Sequence, residues 1–517
     1  MIKLKLILIF LVIASLGLIG IACKPAFNQV QAQPAPSTIQ PASVSSTPSA
    51  SVATLASASP TPSPASTIKY IGQFSISPSH ASIGAPVNAV GAGFEPNTDL
   101  QLIWQGFQGT WKVDTGGNYN GRDFSDAMQA LANVKTDAQG GFKTTFVVPQ
   151  GFGFSHNVIV QKQNIIQNQA NFKVDMQVNI SPSSGPVGTP ISIDAQGVGW
   201  RSLENSWTVV YDNKFTGWMS SVSTNGAAHV ILPAAGAPGK HIIQIIHGSY
   251  TFPYMNMQQS PQPDRPSWKF EFTITDGMAV QPAPAQSQSL PVEKITAQSS
   301  VTGPALWTDL TAGIVDTPLA IRGSGLPAGK QVELLWFRVV GSRVSGNGWD
   351  EVSTSLGKVT VGDNGTIIFP FKALDDLGGP HRIEAQVNGT KLAETSFTIT
   401  PSAFDVSPNS GPAGTTITVH LKGVGWTETA NIYNLVYDNA YVGYACGFNS
   451  QGDVTVYLAA TGEPGWHYID LYPGIYKGIE MSGTDNFRIP QLTAAADHPG
   501  EHLPVFHFAF QVTEGGK

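Results

Sequence analysis

Residues Ser181–Trp200 read SPSSGPVGTPISIDAQGVGW, and the pattern returns at Ser407–Trp426 as SPNSGPAGTTITVHLKGVGW, an offset of 407 − 181 = 226 residues. Each copy holds a Pro/Gly turn, a short alternating run (Ile191 and Ile193; Ile417 and Val419), a Gly-x-Gly kink and a Trp. Alternation with a period of two places one set of side chains on one face, so the run is a half-buried strand entered through the turn. A β-sandwich domain begins this way.

Working outward, the two copies align without a gap from Ser181 to Tyr250 and from Ser407 to Tyr476. They share VYDNKFTGW (Val210–Trp218) and VYDNAYVGY (Val436–Tyr444). Asp-Asn between two alternating runs predicts a tight hairpin turn, because both residues tolerate positive φ. A second, looser pair of modules surrounds them. The first runs through QLIW (Gln101–Trp104), TDAQGGF (Thr136–Phe142) and SHNVIVQ; the third through PLAIRGSGL (Pro318–Leu326), ELLW (Glu333–Trp336), GDNGTI (Gly362–Ile367) and GPHRIEAQV (Gly379–Val387).

The order is therefore A-B-A-B, a duplicated pair. The modules span 70–174, 175–275, 291–400 and 401–514, with a Pro/Ala/Gln/Ser-rich linker at 276–290. With no comparable linker inside either pair, the expectation is two stiff two-domain rods joined by a more mobile hinge. An insertion in the first module, Gly106–Asn133, contains Phe124–Leu131 (FSDAMQAL), which reads as two helical turns.

Composition agrees with an all-β chain. At 517 residues there is more than one core, and only 12% of residues are charged while Gly (54) and Pro (37) are abundant. The net charge of −7 is spread out, without the Lys/Arg cluster that neutralises phosphates, so nucleic acid is not an expected partner.

Lys3 and Lys5 precede the uncharged apolar run Leu6–Ile21, which is short for a membrane span and has the layout of a secretory signal over 1–22. Ala22-Cys23 at its end resembles a bacterial lipoprotein cleavage site, with Gly20 where that family usually has Leu. The resemblance implies a lipid on Cys23 and an extracytoplasmic, membrane-anchored protein; an ordinary signal peptide or an uncleaved anchor is the alternative. Residues 23–69 are a low-complexity Pro/Ser/Ala/Thr tract with too little apolar content to offset its ordering entropy, and read as a disordered stalk. Cys446 aligns with Ser220 and reads as a small filler.

The motif SPxSGPxGTxITVxGxGW, a hairpin turn, and a Pro-Gly-x-His-x-Ile strand resemble the immunoglobulin-like (IPT/TIG-type) repeats of bacterial surface proteins. The resemblance implies a Greek-key sandwich of about seven strands and leaves activity open.

Candidate sites were weighed against structural roles. A His begins the penultimate strand of each module (His156, His241, His381, His467); lying in four domains, they cannot meet on one ion. His498-Pro-Gly-Glu501-His502 matches an H-x-x-E-H pattern, but Pro499-Gly500 breaks the helix that this chemistry needs, leaving His498 and His502, with Asp497 or His507, as weak metal candidates. Asp137 and Asp363 sit in turns that offer about one carboxylate each, so they read as closing their own turns rather than ligating calcium.

The better lead is the loop end of the second and fourth modules. Long connections there, Thr251–Ser267 and Lys477–Val505, lie on the same end as loops carrying Trp200 and Trp207, or Trp426 and Tyr433. With Tyr254, these rings suit sugar faces or peptides; the alternative is that they are sandwich core. No nucleophile elbow, P-loop or dinucleotide fingerprint is present, and no cofactor is expected. The sequence thus points to a non-enzymatic surface protein with a binding, adhesive or spacer role, whose partner is cell-wall polysaccharide or another surface protein; the alternatives are a carbohydrate- or cell-wall-binding protein using the Trp-bearing loops and, behind it, a hydrolase with an unrecognised site.

Overall fold

The sequence's alternating runs become strands, and one strand order recurs four times. In the second module Gln177–Ser181, Pro190–Gln196 and Ala227–Pro233 form a three-stranded sheet with Pro190–Gln196 at its centre. The facing sheet orders Ser184–Gly185, Trp268–Ile274, Gly239–Ser249, Trp207–Tyr211 and Lys214–Met219. Only Ser184–Gly185 pairs in parallel within that sheet. The Pro/Gly turn of the opening motif is thus where the first strand crosses from one sheet to the other. The fourth module repeats this with Ser402–Ser407 and Ser410–Pro412, and the first and third have the same layout. The chain is all-β, four tandem immunoglobulin-like sandwich modules.

The computed structural model describes residues 70–249, 252–260, 265–290, 294, 303–342, 348–476, 488–500 and 502–515. The signal segment, Cys23, the 23–69 tract and Glu501 lie outside them.

Alternation decides which side chains fill the core. Ile191, Ile193 and Ala195 are buried with Trp207, Val209, Ile243, Ile245 and Phe272 between the two sheets of the second module. Full burial of each such aliphatic or aromatic side chain contributes roughly 1.5–3 kcal/mol. The Asp-Asn hairpins form as expected, with positive φ at Asp212 and Asn213 (49° and 61°) and at Asp438 and Asn439 (47° and 58°).

Two expectations are corrected. Phe124–Leu131 is not helical but part of Tyr119–Lys135, a strand paired along its length with Asp99–Val113. Cross-strand pairing on an extended neighbour overrides a weak local helix preference. The Gly106–Asn133 insertion is therefore a long two-stranded arm leaving the first sandwich.

Nor do the pairs form rods about a free hinge. The linker is built into the fourth module: Ala285 is buried in its core cluster and donates its backbone N–H to Asp405 at 3.0 Å. Gln288 exchanges two hydrogen bonds with the backbone of His507, at 2.8 and 2.6 Å. The second and fourth modules also touch directly, as Thr216 Oγ1 donates to the Asn439 carbonyl (2.7 Å) and Asn439 Nδ2 to the Pro233 carbonyl (2.8 Å). A Pro/Ala/Gln/Ser composition permits flexibility, but here the fixed backbone finds partners along its length.

Candidate functional site

The GVGW end of the opening motif is a docking seam between modules. Gly153 of the first module pairs in parallel with Gly199 and donates to the Val198 carbonyl at 3.0 Å; Gly378 of the third does the same with Gly425 and Val424, at 3.1 Å. A Cβ on Gly153 would collide with the Gly197 carbonyl oxygen, and one on Gly378 with that of Gly423. Backbones this close leave no room for a side chain, which is why both sides of each seam are glycine.

The Trp that follows completes the seam. Trp200 stacks on Phe107 of the first module's arm, ring centroids 3.7 Å apart, and Trp426 meets Trp349 of the third module edge-on at 6.2 Å. Both rings are part-buried between modules. Trp207 and Tyr433 are fully buried, with Trp207 Nε1 donating to the Glu204 carbonyl (2.8 Å) and the Tyr433 hydroxyl to that of Pro504 (3.0 Å). They are core and present no face to a ligand, since each follows a strand's inward alternation. Tyr254 lies in a loop and is part-buried, as Trp200 and Trp426 are.

The described part of the fourth module's long connection, from 488 onward, is spent on its neighbours. Pro490 and Leu492 pair with both backbone groups of Trp218 at 2.9 Å, covering the edge strand Lys214–Met219 of the second module. An uncovered edge invites unwanted pairing, and here a loop closes it. Asp497, buried, accepts from the Val222 and Ser223 backbone N–H groups (2.8 and 2.7 Å), from Ser223 Oγ (2.5 Å) and from Trp111 Nε1 on the first module's arm (2.9 Å). The arm's tip also reaches the fourth module, where the Tyr119 N–H donates to Glu428 at 2.7 Å. One carboxylate thus joins three modules.

The weak metal candidates lie in the same connection. His498 sits with Nδ1 2.6 Å from Gln491 Oε1 and Nε2 2.7 Å from the Thr429 carbonyl, and burial pushes its pKa down to about 4. Both nitrogens are engaged, Asp497 faces the second module, and His502 is exposed. No group of three or more potential metal ligands exists among the described residues.

The four strand-start histidines hold loops. His156 and His381 place both nitrogens against backbone carbonyls (Gln105 and Phe152; Phe337 and Leu377) at 2.7–3.1 Å. His241 and His467 instead place Nδ1 against the hairpin carboxylates Asp212 (2.6 Å) and Asp438 (2.5 Å). Burial opposes charge on His467, but the Asp438 bond, the Asp438 charge and the Glu463 carbonyl together outweigh it and raise its pKa. Asp137 closes its own turn, accepting from the Gln139 and Gly141 N–H groups at 2.8 Å.

An open cleft of about 390 Å³ remains where the linker crosses between the second and fourth modules. Its walls include Pro190, Ile231, Val280, Pro282 and Val505, and its polar end is the pair Asp470–His507, with His507 Nδ1 2.7 Å from Asp470 Oδ1. Asp470 Oδ2 is buried without a hydrogen-bond partner. The roof is pinned where the Tyr468 hydroxyl donates to the Val280 carbonyl at 2.8 Å. In the second module the same register positions hold Gln244 and Lys269. Sequence reading missed this pair, whose signal was that departure between otherwise similar repeats.

No protein-family model and no curated protein matches the chain. Among solved structures, a mutant of Salmonella alpha-2-macroglobulin is similar over 84% of this chain and 30% of that one, at 10% identity and a TM-score of 0.18. This chain therefore spans under a third of that protein. An ICAM-5 D1-D4 ectodomain fragment is similar over 84% of this chain and 99% of that one (9% identity, TM-score 0.17). The D0-D1 domain of intimin is similar over 40% of this chain and 97% of that one (13% identity, TM-score 0.14). At these values nothing functional passes from those proteins to this chain.

Proposed function

We propose that this chain is a non-enzymatic, extracytoplasmic display protein, its IPT/TIG-like modules locked together and carried on a lipid at Cys23. The observation that supports this best is the use made of the loop ends. On a rigid sandwich, long loops and their aromatic rings are where binding usually lies. Here Trp200, Trp426 and the 488–500 segment hold modules against one another instead. Mass spectrometry of the N-terminal peptide tests the anchor: diacylglycerol on Cys23 is expected, and an unmodified Cys23 removes it. Solution scattering tests the locking: the distances between the four modules should not change with salt.

A second reading, recognition of cell-wall polysaccharide, is favoured by the linker cleft with its Asp470–His507 end and not by the Trp loops. Polysaccharide pull-down that survives Trp200→Ala but is lost in Asp470→Asn would support it. Loss in Trp200→Ala with the fold intact would return the site to the loops.

A further inference from the structure

Beside the first seam, the second module buries a set of charged and polar side chains that its duplicate lacks. The Arg265 side chain is 2% exposed, its guanidinium 4.8 Å from the Phe154 ring and 3.8 Å from Glu204 Oε1. Neither Nη1 nor Nη2 makes a hydrogen bond. His247, 3% exposed, has the Leu203 carbonyl beside its ring but no bond of hydrogen-bond geometry at either nitrogen, and the Ser206 hydroxyl has no partner.

Glu204 does not satisfy Arg265. Arg201 Nε donates to both of its oxygens at 3.0 Å, and Arg201 Nη2 donates to Oε1 as well. Two guanidinium groups therefore share one carboxylate. Burial pushes the Arg265 pKa down to about 10, with Glu204 opposing the shift, so the group stays charged at neutral pH. Burial, then the Arg265 charge, keep His247 below its ordinary value, with the Leu203 carbonyl opposing. Its neutral ring still offers one N–H.

An underpaired buried charge costs several kcal/mol, and well-packed apolar residues commonly replace such groups without loss. The duplicate makes that replacement. Arg265-Pro266 aligns with Leu503-Pro504, and Glu204, Ser206 and His247 align with Ala430, Ile432 and Pro473, all buried. The fold does not need the polar set, yet the second module keeps it, with its donors unused.

We propose that Arg265, with His247 as a further donor, forms a binding site for a small oxyanion, either inorganic or the carboxylate of a larger ligand. A guanidinium presents two parallel N–H groups that match an oxyanion's oxygens, and the bound charge cancels the excess positive one. A cation is excluded by Arg265, and an uncharged ligand would leave the charge uncompensated.

The experiment is thermal unfolding of the purified chain in sodium sulfate, sodium acetate and sodium chloride at matched ionic strength, with calorimetric titration of sulfate into the wild type. Sulfate or acetate should raise Tm above chloride by about 2 °C at saturating concentration. The larger of the two shifts identifies an inorganic anion or a carboxylate as the source. The part of that shift above sulfate's general stabilisation of folded proteins should be lost in Arg265→Leu, and in Glu204→Ala/Arg265→Leu, which copies the apolar seam of the fourth module. Equal Tm in all three salts together with no heat of sulfate binding to the wild type overturns the proposal, as does an anion shift of the same size in the wild type and the double variant.

Discussion

The second and fourth modules start from one motif and finish in different surroundings. In the second, the edge strand Lys214–Met219 is covered by Pro490–Thr493 of the fourth. In the fourth, the equivalent strand Ala440–Cys446 leaves Val442 and Tyr444 exposed. The first module's arm is anchored by Glu428, where the second module has Ser202. The seam of the second module is charged, and that of the fourth apolar. Duplication supplied two equal scaffolds; their differences lie where each meets a neighbour, because contact with a neighbour is the one feature two copies in one chain cannot share.

The comparison breaks most readily at Asp497. Asp497→Ala leaves the Val222, Ser223 and Trp111 N–H groups without their acceptor, and should cost on the order of 4 kcal/mol in denaturant unfolding. An unchanged midpoint would mean that the arm and the two B modules do not depend on one another. Gly153→Ala and Gly378→Ala test whether the seams are equivalent; each should cost about 3 kcal/mol by overpacking. A large gap between the two would show that one seam yields.

Acid separates the modules further. His498 has a folded pKa of about 4 against 6.5 unfolded, so the unfolded chain takes up the proton first. Stability is therefore lost as pH falls from about 6.5 towards 4, by roughly 3 kcal/mol in all. His498→Gln should flatten that slope in pH-dependent unfolding; a slope that remains assigns it elsewhere. His467 works in the opposite sense. Its folded pKa is raised by Asp438, so its contribution is present below its unfolded value and fades as pH rises through the folded one. The smallest expected effect is at the aromatic seams: Trp200→Ala should cost about 2 kcal/mol and more than Trp426→Ala, since Trp200 stacks face to face.

Much of the scaffold was legible in the sequence. Period-two runs named Ile191, Ile193, Ile417 and Val419 as core, and Asp-Asn gave both hairpins, since backbone preference and alternation act within a few residues. The candidate site was legible only in part. Trp200 and Trp426 were rightly marked as distinctive, but whether a ring at a loop end meets a ligand or another module depends on what packs above it. Trp207 and Tyr433, unlike them, stand on paired strands that turn their rings into the sandwich. The segment Phe124–Leu131 misled because its local pattern suits a helix, while Asp99–Val113 offers it a full set of backbone partners.

The sequence by itself determined the all-β architecture, the four modules and their A-B-A-B order, because turn residues and alternation are local physics repeated at a fixed spacing. The tertiary structure decided that GVGW is a seam, that the linker is embedded, that Asp497 joins three modules, and that Arg265 and Asp470 are buried short of partners. Each of those rests on groups tens to hundreds of residues apart, and their close approach, burial and charge balance exist only once the modules have packed.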